Sequence, residues 1–359
     1  MKKIINIMAN SIKDKLVEAR YYNNNDSISA VSIVALCYNH AAYLPSFFES
    51  ILSQKVNFKI EIIINDDCST DNSREIIEKY HSMYPNIVKP IYQNKNMYIQ
   101  NRKKIYLDIF NLINGEYVSF CESDDLFYND KKLYLQKRIM DKHKDIGICI
   151  HKVKVVHHPN KNSKSFMPNR HFRSGIYNAD IFVNEICYKH MIHTSSFFFR
   201  KESFSNFITK AEHLFLLVNF DDITIFLIAL VSDRIYFINK TLTIYNHCLP
   251  NSWTSKFKQK TKKEIIDYNN TLIAYYMFVE NLLQNRYDCV FKKCINRCKM
   301  ICMLNELNYK GIFEQKDILV ELKKYNYIEY LKLKIRVKNP KLYKVINCIR
   351  KRERDFKNE

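Results

Sequence analysis

From residue 31 onward the chain alternates short apolar runs with stretches whose apolar residues recur three and four positions apart. Residues 31–36, Val-Ser-Ile-Val-Ala-Leu, read as a strand, after which Leu44, Phe47, Phe48, Ile51 and Leu52 share one face of a helix. Residues 60–64 form a near-continuous apolar strand ending at Asn65-Asp66-Asp67, and a helix over about 74–84 follows, stopped by Pro85. A third strand is expected over 87–92, a third helix over 103–114 closed by Gly115, and a fourth strand over 117–121. This alternation predicts an α/β fold, with a mostly parallel, doubly wound sheet flanked by helices. In such a sheet the functional loops lie at the strand C-termini.

The flanks differ from this core. Residues 1–30 read as an N-terminal amphipathic arm, with Ile4, Met8, Ile12 and Leu16 four apart and an Asn-rich link at 23–26. Residues 256–359 read as a basic helical C-terminal extension, with helical apolar spacing over 265–283 and 289–307. From 255 onward, 25 Lys or Arg stand against 12 acids, hence +13 of the net +20. Residues 330–354 interleave Leu, Ile and Val with Lys and Arg, as a surface for anionic lipid would, although a solvated helix gives the same pattern. Cys294, Cys298 and Cys302 line one helix face without a fourth clustered ligand, which favours core packing over metal binding.

Composition narrows the chemistry. With 47% hydrophobic and 14% aromatic residues, the chain has ample material for a packed core. The eleven Cys are scattered without a C-x-x-C pair, which fits a reducing, cytoplasmic setting. The apolar patch after Met1-Lys2-Lys3 is too short for a signal sequence, and the apolar run 214–238 is broken by Asn219, Asp221, Asp222, Asp233 and Arg234. A soluble or membrane-peripheral protein at the inner face is therefore expected. The four glycines, Gly115, Gly147, Gly175 and Gly311, are too dispersed for a Walker loop, a dinucleotide turn or a kinase glycine loop. Any nucleotide diphosphate must be held by side chains and a metal, and the positive net charge suits such an anionic partner.

The candidate chemistry lies where strands end in carboxylates. The fourth strand runs into Glu122, Asp124 and Asp125, hard oxygen ligands suited to Mg2+ or Mn2+ with positions left for phosphates. Asp66 and Asp67 end the second strand on the same sheet edge, where a carboxylate can accept hydrogen bonds from a base or ribose. Simpler explanations stay open. The later cluster could be a polar loop with Asp130 capping the next helix, and Cys68-Ser69-Thr70-Asp71-Asn72 is turn chemistry.

These stretches carry a family resemblance. Val31-Ser32-Ile33-Val34-Ala35-Leu36-Cys37-Tyr38-Asn39-His40, then Asp66-Asp67-Cys68-Ser69-Thr70-Asp71, then Gly115-Glu116-Tyr117 through Glu122-Ser123-Asp124-Asp125, resemble three signatures of the family 2 inverting glycosyltransferases: the opening strand, the D-D-x-S-x-D turn and the D-x-D-D motif. The residues from His193 to Arg200 resemble the family's acceptor-side strand, Phe220-Asp221-Asp222 its base motif, and Tyr245-Asn246-His247 its Y-R-x-H region. The resemblance covers about 31–255 and implies a GT-A, Rossmann-like domain with a nucleotide-binding half (31–125) and an acceptor half (126–255).

By position, the resemblance implies that Ala35, Leu36, Tyr38, Asn39, Asp66 and Asp67 line the nucleotide pocket. Asp124 would touch ribose or metal, Asp125 would be the chief metal ligand, and Glu122 would stand beside them. Asp222 would be the catalytic base, with Asp221 next to it where the family commonly has Gly; as a helix N-cap, Asp222 has a structural explanation too. His193, Ser195, His247 and Trp253 fall on the acceptor side, and Asn246 replaces the usual Arg.

The activity so implied is inverting, metal-dependent transfer of a sugar, with a UDP-sugar favoured as donor, to a glycan or lipid-linked glycan in cell-surface polysaccharide synthesis. Three alternatives remain: a nucleotidyltransferase, a non-catalytic carbohydrate-binding relative, and a nucleic-acid-binding protein. The last is disfavoured, since the basic residues form no recognisable nucleic-acid module.

Overall fold

A computed structural model describes residues 30–160, 162–169, 171–179, 181–182, 192–203, 234–249, 252–284 and 286–340. The arm at 1–29 and the pair Asp221 and Asp222 lie outside the described residues. The chain divides into two compact units, 1–255 and 256–359.

In the first unit the expected alternation is present. Strands β1 (Val31–Cys37), β2 (Ile60–Asp66), β3 (Val88–Tyr92) and β4 (Tyr117–Phe120) alternate with helices α1 (Leu44–Leu52), α2 (Ser73–Met83), α3 (Met97–Gln100) and α4 (Arg102–Leu112). Then come β5 (Leu126–Phe127), α5 (Lys132–Lys142), β6 (Ile148–His157), β7 (Lys164–Met167), β8 (Gly175–Asn178), β9 (Phe198–Arg200) and β10 (Arg234–His247). The strand order is β3-β2-β1-β4-β9-β6-β10-β5, with β7 on β6 and β8 on β10. The first four strands pair in parallel, whereas β9 enters antiparallel between β4 and β6. The sheet is thus mixed, with parallel pairing among β1 to β4.

Helix α1 buries Leu44, Phe47, Phe48, Ile51 and Leu52, the stripe its spacing predicts. Strand β2 is buried at every position, as expected for a central strand covered on both faces. The exception to its apolar run is Glu61, fully buried. Burial alone would push its carboxyl up, but hydrogen bonds from Lys89, Ser32 and Asn114 outweigh that and hold it below the usual range.

Two local expectations are corrected. Helix α4 ends at Leu112 with Ile113 as its C-cap, so Gly115 does not close it. No glycine among the described residues has positive φ; Gly115 instead lies so close to β1 that an added Cβ would stand 2.5 Å from Ser32 N. Nor does Asp130 cap α5, whose N-cap is Lys131 without a side-chain cap bond; Asp130 pairs with Lys55 at 2.6 Å.

The second unit is helical: α7 (Lys262–Leu282), α8 (Asp288–Asn305), α9 (Tyr309–Glu314), α10 (Lys316–Tyr325) and α11 (Tyr327–Lys338), with a short α6 (Trp253–Phe257) before them in the chain. Thr261 and Glu264 form a capping box at the start of α7. Cys294, Cys298 and Cys302 are buried on α8 as free thiols. Met300, Ile312, Ile318, Leu322 and Leu333 form a core of their own. No helix of the described residues is long and apolar enough to cross a membrane.

Candidate functional site

Strand register brings the acidic turns together. Cys37, the last residue of β1, lies opposite Asp66, while on the other side Cys121 N donates to Val34 O and Ser123 N to Leu36 O. Asp66-Asp67 and the 122–125 turn therefore flank the C-terminal end of β1, one on each side. The loop after β1 contacts both. Asn39 N donates to Ser69 Oγ (2.9 Å), and Asn39 Oδ1 accepts from Thr70 N (2.7 Å). On the other side His40 Nδ1 meets Ser123 Oγ at 2.7 Å, and His40 Nε2 stands 3.8 Å from Asp124 Oδ2. Asn39 (φ 58°) and Cys68 (φ 63°) both adopt the left-handed conformation, rare for side-chain-bearing residues and concentrated at functional turns.

The expected nucleotide-side residues take distinct places. Ala35 is fully buried within β1 and can offer only backbone, Leu36 is half-buried, and Tyr38 exposes its ring at 39%. Asp67 is engaged internally: Oδ1 accepts from Met97 N (2.7 Å) and Oδ2 from Tyr98 N (3.0 Å) at the start of α3. Asp66 is fully buried, and its Oδ1 has no hydrogen-bond partner among the described residues. Burial raises its pKa, against hydrogen bonding from Ser69. Tyr92 Oη, buried near Asp66, likewise lacks a partner among the described residues, and Arg74 stacks on the Tyr92 ring at 4.3 Å.

At the end of β4, Glu122 and Asp124 are half-buried while Asp125 is buried. Asn246 on β10 clamps the pair: its backbone N donates to Asp125 Oδ1 (3.0 Å) and its Nδ2 to Asp124 O (2.7 Å). An arginine could not accept the contact that Asn246 Oδ1 makes with His158 Nε2 at 3.2 Å. Asp125 Oδ2 faces His193 Nδ1 at 3.6 Å. Burial lowers the His193 pKa to about 3, so the ring is neutral and this is a polar contact, not an ion pair. His193 stacks on Tyr245, with ring centroids 3.9 Å apart. Ser195 Oγ bridges His193 Nδ1 and Thr243 Oγ1, each at 2.9 Å. His247 lies against Tyr245 and His157. Of the acceptor-side candidates, His193, Ser195 and His247 thus gather around the β10 end beside Asp125, and Trp253 opens α6.

A divalent ion fits the donor set, with one condition. The 122–125 turn offers hard carboxylate oxygens, yet no three His, Cys, Asp or Glu side chains among the described residues converge as a metal-holding group. Mg2+ is commonly held by one or two carboxylates completed by substrate phosphates, so Glu122, Asp124 and Asp125 suit an ion that arrives with a diphosphate. His40, Tyr98 and Asn246 were not assigned roles from sequence. For His40 the signal was there, at the end of the opening-strand motif; for Tyr98 no pattern marks a backbone amide that will meet a carboxylate 31 residues away.

Residues 32–207 match the model for glycosyl transferase family 2. They form a glycosyltransferase domain of that family. The match ends before Asp221 and Asp222, although the resemblance in motifs extends to 255. An uncharacterized protein of Mycobacterium tuberculosis is 29% identical over 172 residues, covering 48% of this chain and 47% of that protein. The dTDP-rhamnosyl transferase RfbG of Shigella flexneri is 35% identical over 96 residues, 26% of this chain and 32% of RfbG. The chain therefore spans at most about half the length of these curated relatives. The crystal structure of S. aureus TarS 1-349 in complex with UDP-GlcNAc covers 82% of this chain and 80% of that one, with a TM-score of 0.54 and 17% identity. That likeness shows a GT-A-like fold, in which the family 2 domain presents its acidic turns at the sheet edge.

Proposed function

We propose that the family 2 domain carries out inverting, metal-dependent transfer of a sugar from a nucleotide-diphosphate donor, a UDP-sugar being the first to test. The acceptor would be a glycan or lipid-linked glycan in cell-surface polysaccharide synthesis. The observation that carries this reading is the flanking of the β1 end by Asp66-Asp67 and the 122–125 turn, joined through Asn39 and His40. Among the relatives, RfbG is a dTDP-rhamnosyl transferase and TarS binds UDP-GlcNAc, which supports a nucleotide-sugar donor without fixing its base.

The residues divide the work by position. Asp66, with its buried oxygen, and Tyr38, with its exposed ring, suit recognition of the nucleoside. Glu122, Asp124 and Asp125 would hold the ion, which when bound offsets charge on the departing diphosphate. Asp222, or Asp221 beside it, would take the acceptor hydroxyl's proton as the acceptor oxygen forms its bond to the anomeric carbon and the bond to the diphosphate breaks. The His193, Tyr245 and His247 group would face the acceptor. Attachment to an anionic membrane through the basic extension belongs to the same reading.

The anomeric configuration of the product tests the chemistry. Transfer to acceptor should invert the configuration of the donor sugar, and Asp222→Asn should abolish transfer while leaving donor binding intact. A retained configuration would contradict a single displacement.

A further inference from the structure

Helix α11 has two apolar faces. Tyr330, Leu333 and Val337 pack into the core of the second unit, Leu333 with only 2% of its surface exposed. On the opposite side of the same helix lie Ile328 (62% exposed) and Leu331 (41%), with half-buried Ile335 continuing the stripe at helical spacing and Tyr327 (55%), whose ring stacks on Tyr330, at its edge. A globular helix normally turns charge, not a second apolar stripe, toward solvent. The stripe is bordered by cations: Lys338 and Lys334, the latter with its Nζ 4.9 Å over the Tyr330 ring, on one side, and Lys332, paired with Glu329, on the other. In its twelve residues α11 carries Lys332, Lys334, Arg336 and Lys338 against Glu329, and Lys323 and Lys324 stand in the last turn of the preceding helix α10.

We infer that this outer face of α11 is an interfacial membrane anchor. Tyr327, Ile328 and Leu331 enter the headgroup boundary of a bilayer, and Lys332, Lys334 and Lys338 meet the phosphates of anionic lipids. Charge complementarity selects this occupant. A protein or second copy covering the stripe would have to be acidic around its rim, whereas this unit is strongly basic and repels its own kind. An anionic bilayer satisfies the apolar stripe and the lysines in one plane. This deepens the membrane part of the proposed function and is independent of the transfer chemistry, so either can fail while the other stands.

The test is co-sedimentation of the full chain with phosphatidylcholine vesicles, with and without about 30% phosphatidylglycerol. Binding should require the anionic lipid and fall about tenfold or more in the double variant Ile328→Glu, Leu331→Glu. Because both side chains point away from the core, the variant should keep the wild-type circular dichroism. In a separate variant, Ile328→Trp, the emission of the introduced indole should shift to the blue on adding anionic vesicles. The inference is overturned by wild-type binding in the double variant, which would leave attachment to charge alone. It is equally overturned by an unshifted emission in Ile328→Trp, by absent vesicle binding, or by light scattering that shows the stripe joining two copies of the chain.

Discussion

At the scale of single residues, the carboxylates of the site were visible in the sequence, but the direction each one faces was not. Asp67 turns its carboxylate onto the amides of Met97 and Tyr98, and Asp125 turns onto Asn246. Such bonds join residues 30 to 121 positions apart, and no local pattern encodes them. Asn246 could be seen as a departure from the family's arginine, yet its use as a clamp on the acidic turn appears only in three dimensions. Asn246→Ala keeps the backbone bond to Asp125 and removes the one to Asp124. With the contact to His158 lost as well, it should lower stability by about 2 kcal/mol, for two hydrogen bonds, and reduce turnover roughly tenfold by loosening the turn. Steady-state kinetics beside a denaturant titration would separate the two effects. Gly115 shows the opposite case, a residue noticed for the wrong reason. Its Cβ-free surface accommodates Ser32 of β1, and Gly115→Ala should cost about 2 kcal/mol, read as a lower denaturant midpoint.

At the scale of elements, hydrophobic period located the strands and helices from β1 to β4 because each is amphipathic or fully apolar. What the period could not show is a charged residue turned inward. Lys132 opens α5, where a lysine ordinarily reads as solvated, but it is fully buried, with Nζ donating to Ser119 Oγ and Gln136 Oε1 at 2.8 Å each. Burial lowers its pKa from 10.5 to about 7. The unfolded chain therefore holds a proton between pH 7 and 10.5 that the folded chain releases, so this group makes stability rise with pH across that window. Below pH 7 both states are charged and the full burial penalty remains. Lys132→Met removes the dependence. The stability of the wild type relative to that variant should increase by about 2 kcal/mol from pH 7 to 9, measured by urea unfolding. A flat difference would mean that Lys132 stays charged in the fold.

At the scale of the whole molecule, strand-helix alternation was enough to expect parallel pairing of β1 to β4. Insertion of β9 between β4 and β6, and the placing of β10 between β6 and β5, depend on pairings across long separations that alternation does not specify. The resemblance in motifs drew attention to the His193 and Tyr245 stretches, which period alone did not mark, and these gather beside Asp125. The second unit was legible as basic and helical, whereas the doubly apolar character of α11 required knowing which face meets the core.

In the proposed function the two acidic strand ends hold a nucleotide-sugar diphosphate with a divalent ion. Its most direct test is release of nucleoside diphosphate from UDP-, GDP-, CDP- and dTDP-sugars by the full chain with Mn2+ or Mg2+, beside Asp124→Asn. One donor should give release that disappears on chelation and falls roughly a hundredfold in Asp124→Asn, with the variant's thermal midpoint unchanged. No release from any donor, together with no donor raising the thermal midpoint in the presence of metal, would rule out a nucleotide-sugar site at these strand ends.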